Sequence, residues 1–233
     1  MKISVIIPLY KSINSIDKTI NTLINLLEKE IILELILIND GCDQDYITIL
    51  KKYKAIKNLK VMYFNSIINY GQYYAAYVGL KVFSSEKVVT LDSDFYLIKN
   101  LEEIILKGVM NKNPVVFVRL EKKYKLVRFF LSTLFHFFII LITMKNPKYK
   151  GSSFRIIDRL IIKDFLRSNM SPLFLDIFLI KHTKHFSVLN AQMDEEKQSS
   201  YGMNNFFFFT FNFIFRTKKN TNKIIDSYKY HEI

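Results

Sequence analysis

Val88-Val89-Thr90-Leu91-Asp92-Ser93-Asp94 is an apolar run that stops on two carboxylates separated by one small residue. A buried strand of this sequence delivers Asp92 and Asp94 to its carboxyl end, the rim of an α/β sheet where ligands bind. Two hard oxygen donors there suit Mg²⁺ or Mn²⁺, which prefer carboxylates and commonly bridge a protein to a substrate diphosphate. Taken alone, the stretch reads more readily as a strand followed by an Asp- and Ser-containing turn, and a D-x-D match of three residues carries little weight. The flanking segments reverse those odds.

Upstream, residues 3–9 (ISVIIPL) form a β-branched, nearly continuous apolar run, the mark of a strand covered on both faces. Pro8 suits the end of that strand, since proline cannot continue the ladder. Residues 14–29 carry Ile16, Ile20, Leu23, Ile24 and Leu27 at helical spacing, with Asn14 or Ser15 as cap. A second buried strand, residues 33–38, ends in Asn39-Asp40-Gly41, a polar tip that mirrors the Asp92 tip. Residues 44–56 read as helix and 59–64 as a third strand. Asn69-Tyr70-Gly71 opens a helix running to about Phe83, whose Ala75, Ala76 and Gly79 let it sit close to the sheet. The 88–91 strand, a helix over 101–110 and a strand over 115–120 follow. Strands alternating with helices of this length predict right-handed βαβ units and a parallel sheet.

The character changes after Lys122. Lys122, Lys123, Lys125 and Arg128 precede a 16-residue apolar block, 129–144 (FFLSTLFHFFIILITM), and Lys145, Lys148 and Lys150 follow it. The block falls short of the roughly 20 residues that cross a bilayer as a helix, and reads either as an interfacial helix or as core. A second block, 206–215 (FFFFTFNFIF), runs into Arg216, Lys218 and Lys219, the composition of an interfacial anchor. Two such blocks favour binding at a membrane interface. Residues after 217 read as a polar, frayed tail. The expected division is 1–121, a nucleotide-binding α/β half; 122–216, an acceptor and membrane-interface half; and 217–233, the tail.

Half of the 233 residues are hydrophobic, ample for a core, and the formal charge is +13. That charge calls for a polyanionic neighbour, although abundant Ile, Lys, Asn, Phe and Tyr match an AT-rich coding sequence and discount part of it. The lysines cluster beside the Phe blocks rather than forming a separate stripe, which favours an anionic membrane surface over nucleic acid. A single cysteine, Cys42, excludes an internal disulfide and fits a reducing compartment. Met1-Lys2 leads straight into a strand with no signal-peptide pattern. The expected location is cytoplasmic, peripheral on the inner face of the cell membrane.

Taken together, residues 2–216 resemble the inverting family 2 glycosyltransferases of the GT-A fold, most closely the polyprenyl-phosphate branch that includes dolichol-phosphate mannose synthase. Ser4-Val5-Ile6-Ile7-Pro8-Leu9-Tyr10 is similar to the family's first strand with its nucleotide-contacting Pro and Tyr. Ile38-Asn39-Asp40-Gly41 resembles D-D-G-S, Asn69-Tyr70-Gly71 with Ala75 or Ala76 and Gly79 resembles N-x-G…A…G, and Asp92-Ser93-Asp94 falls at the D-x-D metal site. Gly151-Ser152-Ser153-Phe154-Arg155-Ile156-Ile157-Asp158-Arg159 is similar to the branch's G-x-F-R-L-x-D-R with one residue more, and Ser199-Ser200-Tyr201-Gly202 to its S-K-Y element. The chain departs from the pattern at Lys11-Ser12 (usually Asn-Glu), Asn39 (often Asp), Tyr96 (Gln in the mannose synthases) and Ser200 (Lys).

The resemblance implies an α/β GT-A fold and transfer of a sugar from a nucleotide-diphosphate sugar to a polyprenyl phosphate, with inversion. Pro8, Tyr10, Asp40, Asn69, Gly71 and Asp92 are then expected at the nucleotide, and Asp92 and Asp94 at Mg²⁺ or Mn²⁺, with Asp94 the catalytic carboxylate. Arg119, Arg128, Ser132 and Arg155 are expected at the acceptor phosphate, since guanidinium matches phosphate oxygens in a fork. An ionised phosphate needs little from a base, whereas a sugar hydroxyl on a lipid-linked or surface polysaccharide must lose its proton. Asp176 stands roughly where other members place their base, and Asp158 is a second candidate, read rather as a partner of Arg155 or Arg159. The choice of acceptor thus rests on Asp176. His136, His182, His185 and His231 form no zinc set, and no P-loop or dinucleotide loop is present. A separate membrane protein or a second copy of the chain stays open as a partner. The rival from another class is a basic, non-catalytic membrane-binding protein.

Overall fold

The computed structural model describes residues 1–121, 153–193 and 221–233. The first half runs β1 (Lys2–Leu9), α1 (Ile13–Ile24), a 3₁₀ turn (Asn25–Lys29), β2 (Ile32–Asp40), α2 (Tyr46–Lys51), β3 (Leu59–Ser66), α3 (Gln72–Val82), β4 (Lys87–Thr90), a 3₁₀ turn (Phe95–Leu97), α4 (Leu101–Val109) and β5 (Val115–Glu121). Then come β6 (Arg155–Asp158), α5 (Arg159–Arg167), α6 (Leu175–His182), β7 (Ser187–Gln192), α7 (Thr221–Asp226) and β8 (Lys229–Glu232).

The eight described strands make one sheet in the order β7-β5-β6-β4-β1-β2-β3-β8. β4, β1, β2 and β3 are parallel neighbours, as the alternation of strand and helix predicts. Two strands run against the rest. β6 inserts antiparallel between β4 and β5, and β8 closes the far edge antiparallel to β3. The expected mostly parallel sheet is therefore what forms: β5 and β7 run with the central four strands, and β5 joins them through the antiparallel β6.

Both faces of the central strands are covered, which is why their sequences are continuous apolar runs rather than alternating ones. Ile3, Val5 and Ile7 of β1 pack with Leu33, Leu35 and Leu37 of β2 and with Ile16, Ile20 and Leu23 of α1. On the opposite face Ile6, Ile36 and Ile38 meet Ala75 and Val78 of α3 and Phe178 and Leu179 of α6. Each such side chain, fully buried, stabilises the fold by about 1.5–3 kcal/mol relative to exposure. Gly79 earns its place here: a Cβ on it would lie 2.6 Å from Cγ2 of Ile6.

Element boundaries differ from the sequence reading where capping decides. α1 starts after Ser12, whose carbonyl accepts from Ser15 and Ile16 N–H, and its run tightens to a 3₁₀ turn at Asn25. α2 is six residues rather than thirteen, begun by Asp45 accepting from Thr48 N–H at 3.1 Å. The tail, expected to fray, supplies α7 and the edge strand β8. Its residues are polar, but Ile224 and Tyr228 are 5% and 7% exposed, and the backbone of β8 satisfies itself on β3.

No helix among the described residues is long and apolar enough to cross a membrane. The apolar blocks 129–144 and 206–215, and with them Arg128, Ser132, His136 and residues 199–202, lie outside the described residues.

Candidate functional site

The carboxyl ends of β4, β1 and β2 lie side by side, and the polar tips expected from the sequence stand there together. β1 sits in the middle. Asp40 ends β2 and Asp92 follows β4 by two residues; those two strands flank β1 and lie two strand spacings apart, about 10 Å.

β1 reaches Leu9 with Pro8 inside it. Ile6 accepts from Leu91 N–H at 2.9 Å, so its carbonyl faces β4. By the two-residue period the nitrogen of Pro8 faces that side too, beyond the last β1–β4 pair at Ile6 and Thr90. The missing N–H thus costs no ladder bond. Tyr10 follows, 51% exposed, with the Lys11 ammonium 5.5 Å from its ring centre. Lys11 adopts φ +51°, and its N–H points at Cys42 Sγ at 3.3 Å. Ser12 N–H donates to the Tyr46 hydroxyl at 3.0 Å. The Lys11-Ser12 departure is thereby accommodated by Cys42 and Tyr46.

At the tip of β2, Asn39 closes a small ring. Its Nδ2 donates to the Cys42 carbonyl at 2.7 Å and to Asn65 Oδ1 at 2.8 Å, and its Oδ1 accepts from Cys42 N–H at 3.2 Å. An amide can both donate and accept, and this turn uses both. Asp40 is 2% exposed. Its Oδ1 accepts from Tyr70 N–H at 2.9 Å and from the Tyr228 hydroxyl at 2.6 Å, and its Oδ2 accepts from Gly71 N–H at 2.7 Å. Burial, then the neighbouring Asp40 charge, pushes the Tyr228 phenol far above its ordinary range. Asp40 therefore binds the 69–71 turn and the chain's own tail; Asn69 stands exposed at that turn and Gly71 has φ +100°.

Asp92 and Asp94 are half-exposed beyond β4, as a metal-binding tip requires. Ser153 Oγ donates to Asp92 Oδ2 at 2.6 Å, and Thr90 Oγ1 donates to the Ser153 carbonyl at 2.7 Å. From α1, Thr19 Oγ1 donates to the Ser93 carbonyl at 2.6 Å and accepts from Tyr96 N–H at 3.4 Å. Among the described residues no cluster of three or more His, Cys, Asp or Glu side chains forms. Two carboxylates on a braced, solvent-facing turn fit a hard divalent cation that takes its other ligands from a diphosphate and water.

The acceptor-side residues are arranged differently from the sequence expectation. α6 is buried almost all round, so Asp176 enters the interior and requires a partner. It finds one in Arg155: Nε to Oδ1 at 2.5 Å and Nη2 to Oδ2 at 2.8 Å, with side-chain exposures of 6% and 13%. The candidate phosphate ligand and the candidate base are thus engaged with each other. Asp158 pairs with Lys87 at 3.2 Å instead of with Arg155 or Arg159, and Arg159 Nε donates to the Ser85 carbonyl at 2.7 Å. Arg119 projects from β5 and is exposed. Arg128 and Ser132 lie outside the described residues.

Three residues at the site escaped the sequence reading: Ser153, Thr19 and Tyr228. Ser153 adjoins the Phe154-Arg155 motif and could have been found from it. Thr19 sits on a helix where only the apolar spacing draws notice, and nothing in the tail marks Tyr228.

Over 116 residues the chain is 34% identical to an uncharacterized glycosyltransferase of Rickettsia bellii, covering 50% of this chain and 16% of that protein. Over 115 residues it is 33% identical to an uncharacterized glycosyltransferase of Mycoplasma genitalium, covering 46% and 37%. The chain thus spans well under half the length of these curated relatives. Among solved structures it resembles glucosyl-3-phosphoglycerate synthase of Mycobacterium tuberculosis in complex with Mn²⁺, UDP and glucosyl-3-phosphoglycerate, with a TM-score of 0.62 and 13% identity over 100% of this chain and 87% of that one. The model of Glycosyl transferase family 2 matches residues 4–166, from the start of β1 to near the end of α5, and so takes in every tip described above. The chain belongs to glycosyl transferase family 2.

Proposed function

We propose that the protein transfers a sugar from a nucleotide-diphosphate sugar to a polyprenyl phosphate at a membrane surface, inverting the anomeric centre. The acceptor oxygen attacks the anomeric carbon in line as the bond from that carbon to the diphosphate oxygen breaks. Asp92 and Asp94 would hold Mg²⁺ or Mn²⁺; when bound, such an ion neutralises charge on the departing diphosphate. Ser153 and Thr19 keep those carboxylates in place. Tyr10 offers an exposed ring at the centre of the rim, and the 69–71 turn braced by Asp40 lines its far side. That a structure of similar fold is a complex with Mn²⁺ and UDP supports a divalent cation and a nucleotide as the ligands of this rim.

The Arg155–Asp176 pair carries the acceptor reading. A general base must accept a proton, and both oxygens of Asp176 already accept hydrogen bonds from the buried Arg155 guanidinium. A phosphate acceptor is already ionised and makes no such demand. Arg119, exposed on β5, would contribute a guanidinium to that side, and Arg128 with Ser132 would complete the phosphate site. The Phe-rich blocks and their lysines would hold the protein at an anionic inner membrane face.

The test is a panel of UDP-, GDP- and dTDP-sugars with Mn²⁺, offered undecaprenyl phosphate in one arm and soluble saccharides in another. Sugar transferred to the lipid phosphate is the expected outcome. Transfer to saccharide alone would return Asp176 to the role of base, and binding to anionic vesicles without metal-dependent turnover in either arm would favour a non-catalytic membrane protein.

A further inference from the structure

Asp40 is tied down more completely than a carboxylate waiting for a ligand. Three donors converge on it, two of them main-chain amides from one turn and the third a phenol from 188 residues away. Bonds to an ionised acceptor are the stronger kind. Tyr228, the distant donor, has anchors of its own. It is 7% exposed, its ring centre lies 6.0 Å from that of Tyr70, and it directly precedes β8. β8 pairs with β3 from Asn65–Lys229 to Met62–Glu232, while Tyr230 packs on Phe64 and His231 on Tyr63.

We propose that Tyr228 is a positioning residue for the nucleotide subsite: it fixes Asp40, and Asp40 in turn fixes the 69–71 turn that faces the donor. The C-terminal strap is then a working part of the donor site. This inference rests on the nucleotide reading given above. The opposite relation, in which the hydroxyl occupies a place the nucleotide must take, would require Tyr228 and Ile224 to leave the core and β8 to leave β3. The burial of both side chains favours a permanent brace.

Tyr228→Phe in the full chain removes the hydroxyl and keeps the ring. UDP, GDP and dTDP are titrated calorimetrically in Mn²⁺ against wild type and variant, donor KM and kcat are measured separately, and amide exchange is followed at Tyr70 and Gly71. The variant is expected to bind nucleotide about tenfold more weakly, the scale of one lost charge-assisted hydrogen bond. KM should rise in step with kcat unchanged, and the two amides should exchange faster. A merely structural role would lower the unfolding midpoint and leave KM and amide exchange alone, which overturns the proposal. Tighter nucleotide binding in Tyr228→Phe also overturns it, because the hydroxyl would then be a competitor. Wild-type protein that binds none of the three nucleotides sinks the functional reading and this proposal together, an outcome recognisable because it needs no variant.

Discussion

Arg155 and Asp176 meet through two parallel hydrogen bonds in the interior, one element at the start of β6 and the other in the first turn of α6. Removing one partner of such a pair leaves a buried charge uncompensated, at a cost of about 3–5 kcal/mol. Arg155→Met and Asp176→Ala should each destabilise the fold by that amount in denaturant titrations. The double variant should cost clearly less than their sum, since no lone charge is left. Additive costs would mean that the two side chains do not depend on each other.

Glu34 lies at the opposite end of the sheet and gives the fold a pH dependence. Burial alone would raise its carboxyl, but hydrogen bonds from Ser4 Oγ at 2.6 Å and from Ser84, with the Lys2 charge, hold it below the ordinary value. A carboxyl lowered by folding adds stability above its unfolded value, about 4.3, and loses it as pH falls through the folded value. Glu34→Gln should therefore be less stable than wild type at pH 7, with the gap closing below about pH 4. A gap that stays constant from pH 7 to pH 3 would show that folding does not lower the Glu34 carboxyl.

How much of this was legible beforehand follows from the range of the interactions. β1, β2 and β4 are written in continuous apolar runs, and their polar tips follow from where those runs stop. Each is a local signal. The position of β6 is not local: four residues, Arg155-Ile156-Ile157-Asp158, pair with β4 and β5 only once the chain has returned across the sheet. Tyr228 is the extreme case, since a polar tail shows no periodicity and its one decisive bond spans 188 residues. The sequence marks both Arg155 and Asp176 as candidate site residues, but their 21-residue separation carries no sign that the two opposite charges meet each other.

Gly41 follows Asp40 with φ +70°, and a Cβ there would come within 2.4 Å of Asn69 N and 2.5 Å of the Ile68 carbonyl carbon. Both neighbours are backbone, so neither can swing aside. Gly41→Ala meets about 1–2 kcal/mol of left-handed strain and must also push the 66–71 loop away from β2. Stability should fall by at least that strain, and nucleotide affinity should fall with it because the displaced loop carries the 69–71 turn. Loss of stability with undiminished nucleotide binding would separate this loop from the donor site.

Asp94→Ala should abolish metal-dependent transfer, and chelation by EDTA should reproduce that loss reversibly in the wild type. Ser153 offers the finer test. Its hydroxyl donates to Asp92 Oδ2 at 2.6 Å while its carbonyl is held by Thr90, so it orients the carboxylate without being positioned as a ligand itself. Outer partners of metal ligands typically matter by about 10–100-fold in affinity. Ser153→Ala should raise the Mn²⁺ concentration for half-maximal activity by about tenfold or more and restore near-normal rates at saturating metal. Ser153→Thr, which keeps the hydroxyl, should lie close to wild type in metal requirement. If Ser153→Ala instead lowers the rate equally at every Mn²⁺ concentration, Asp92 is braced for something other than the cation, and the metal belongs to Asp94 alone.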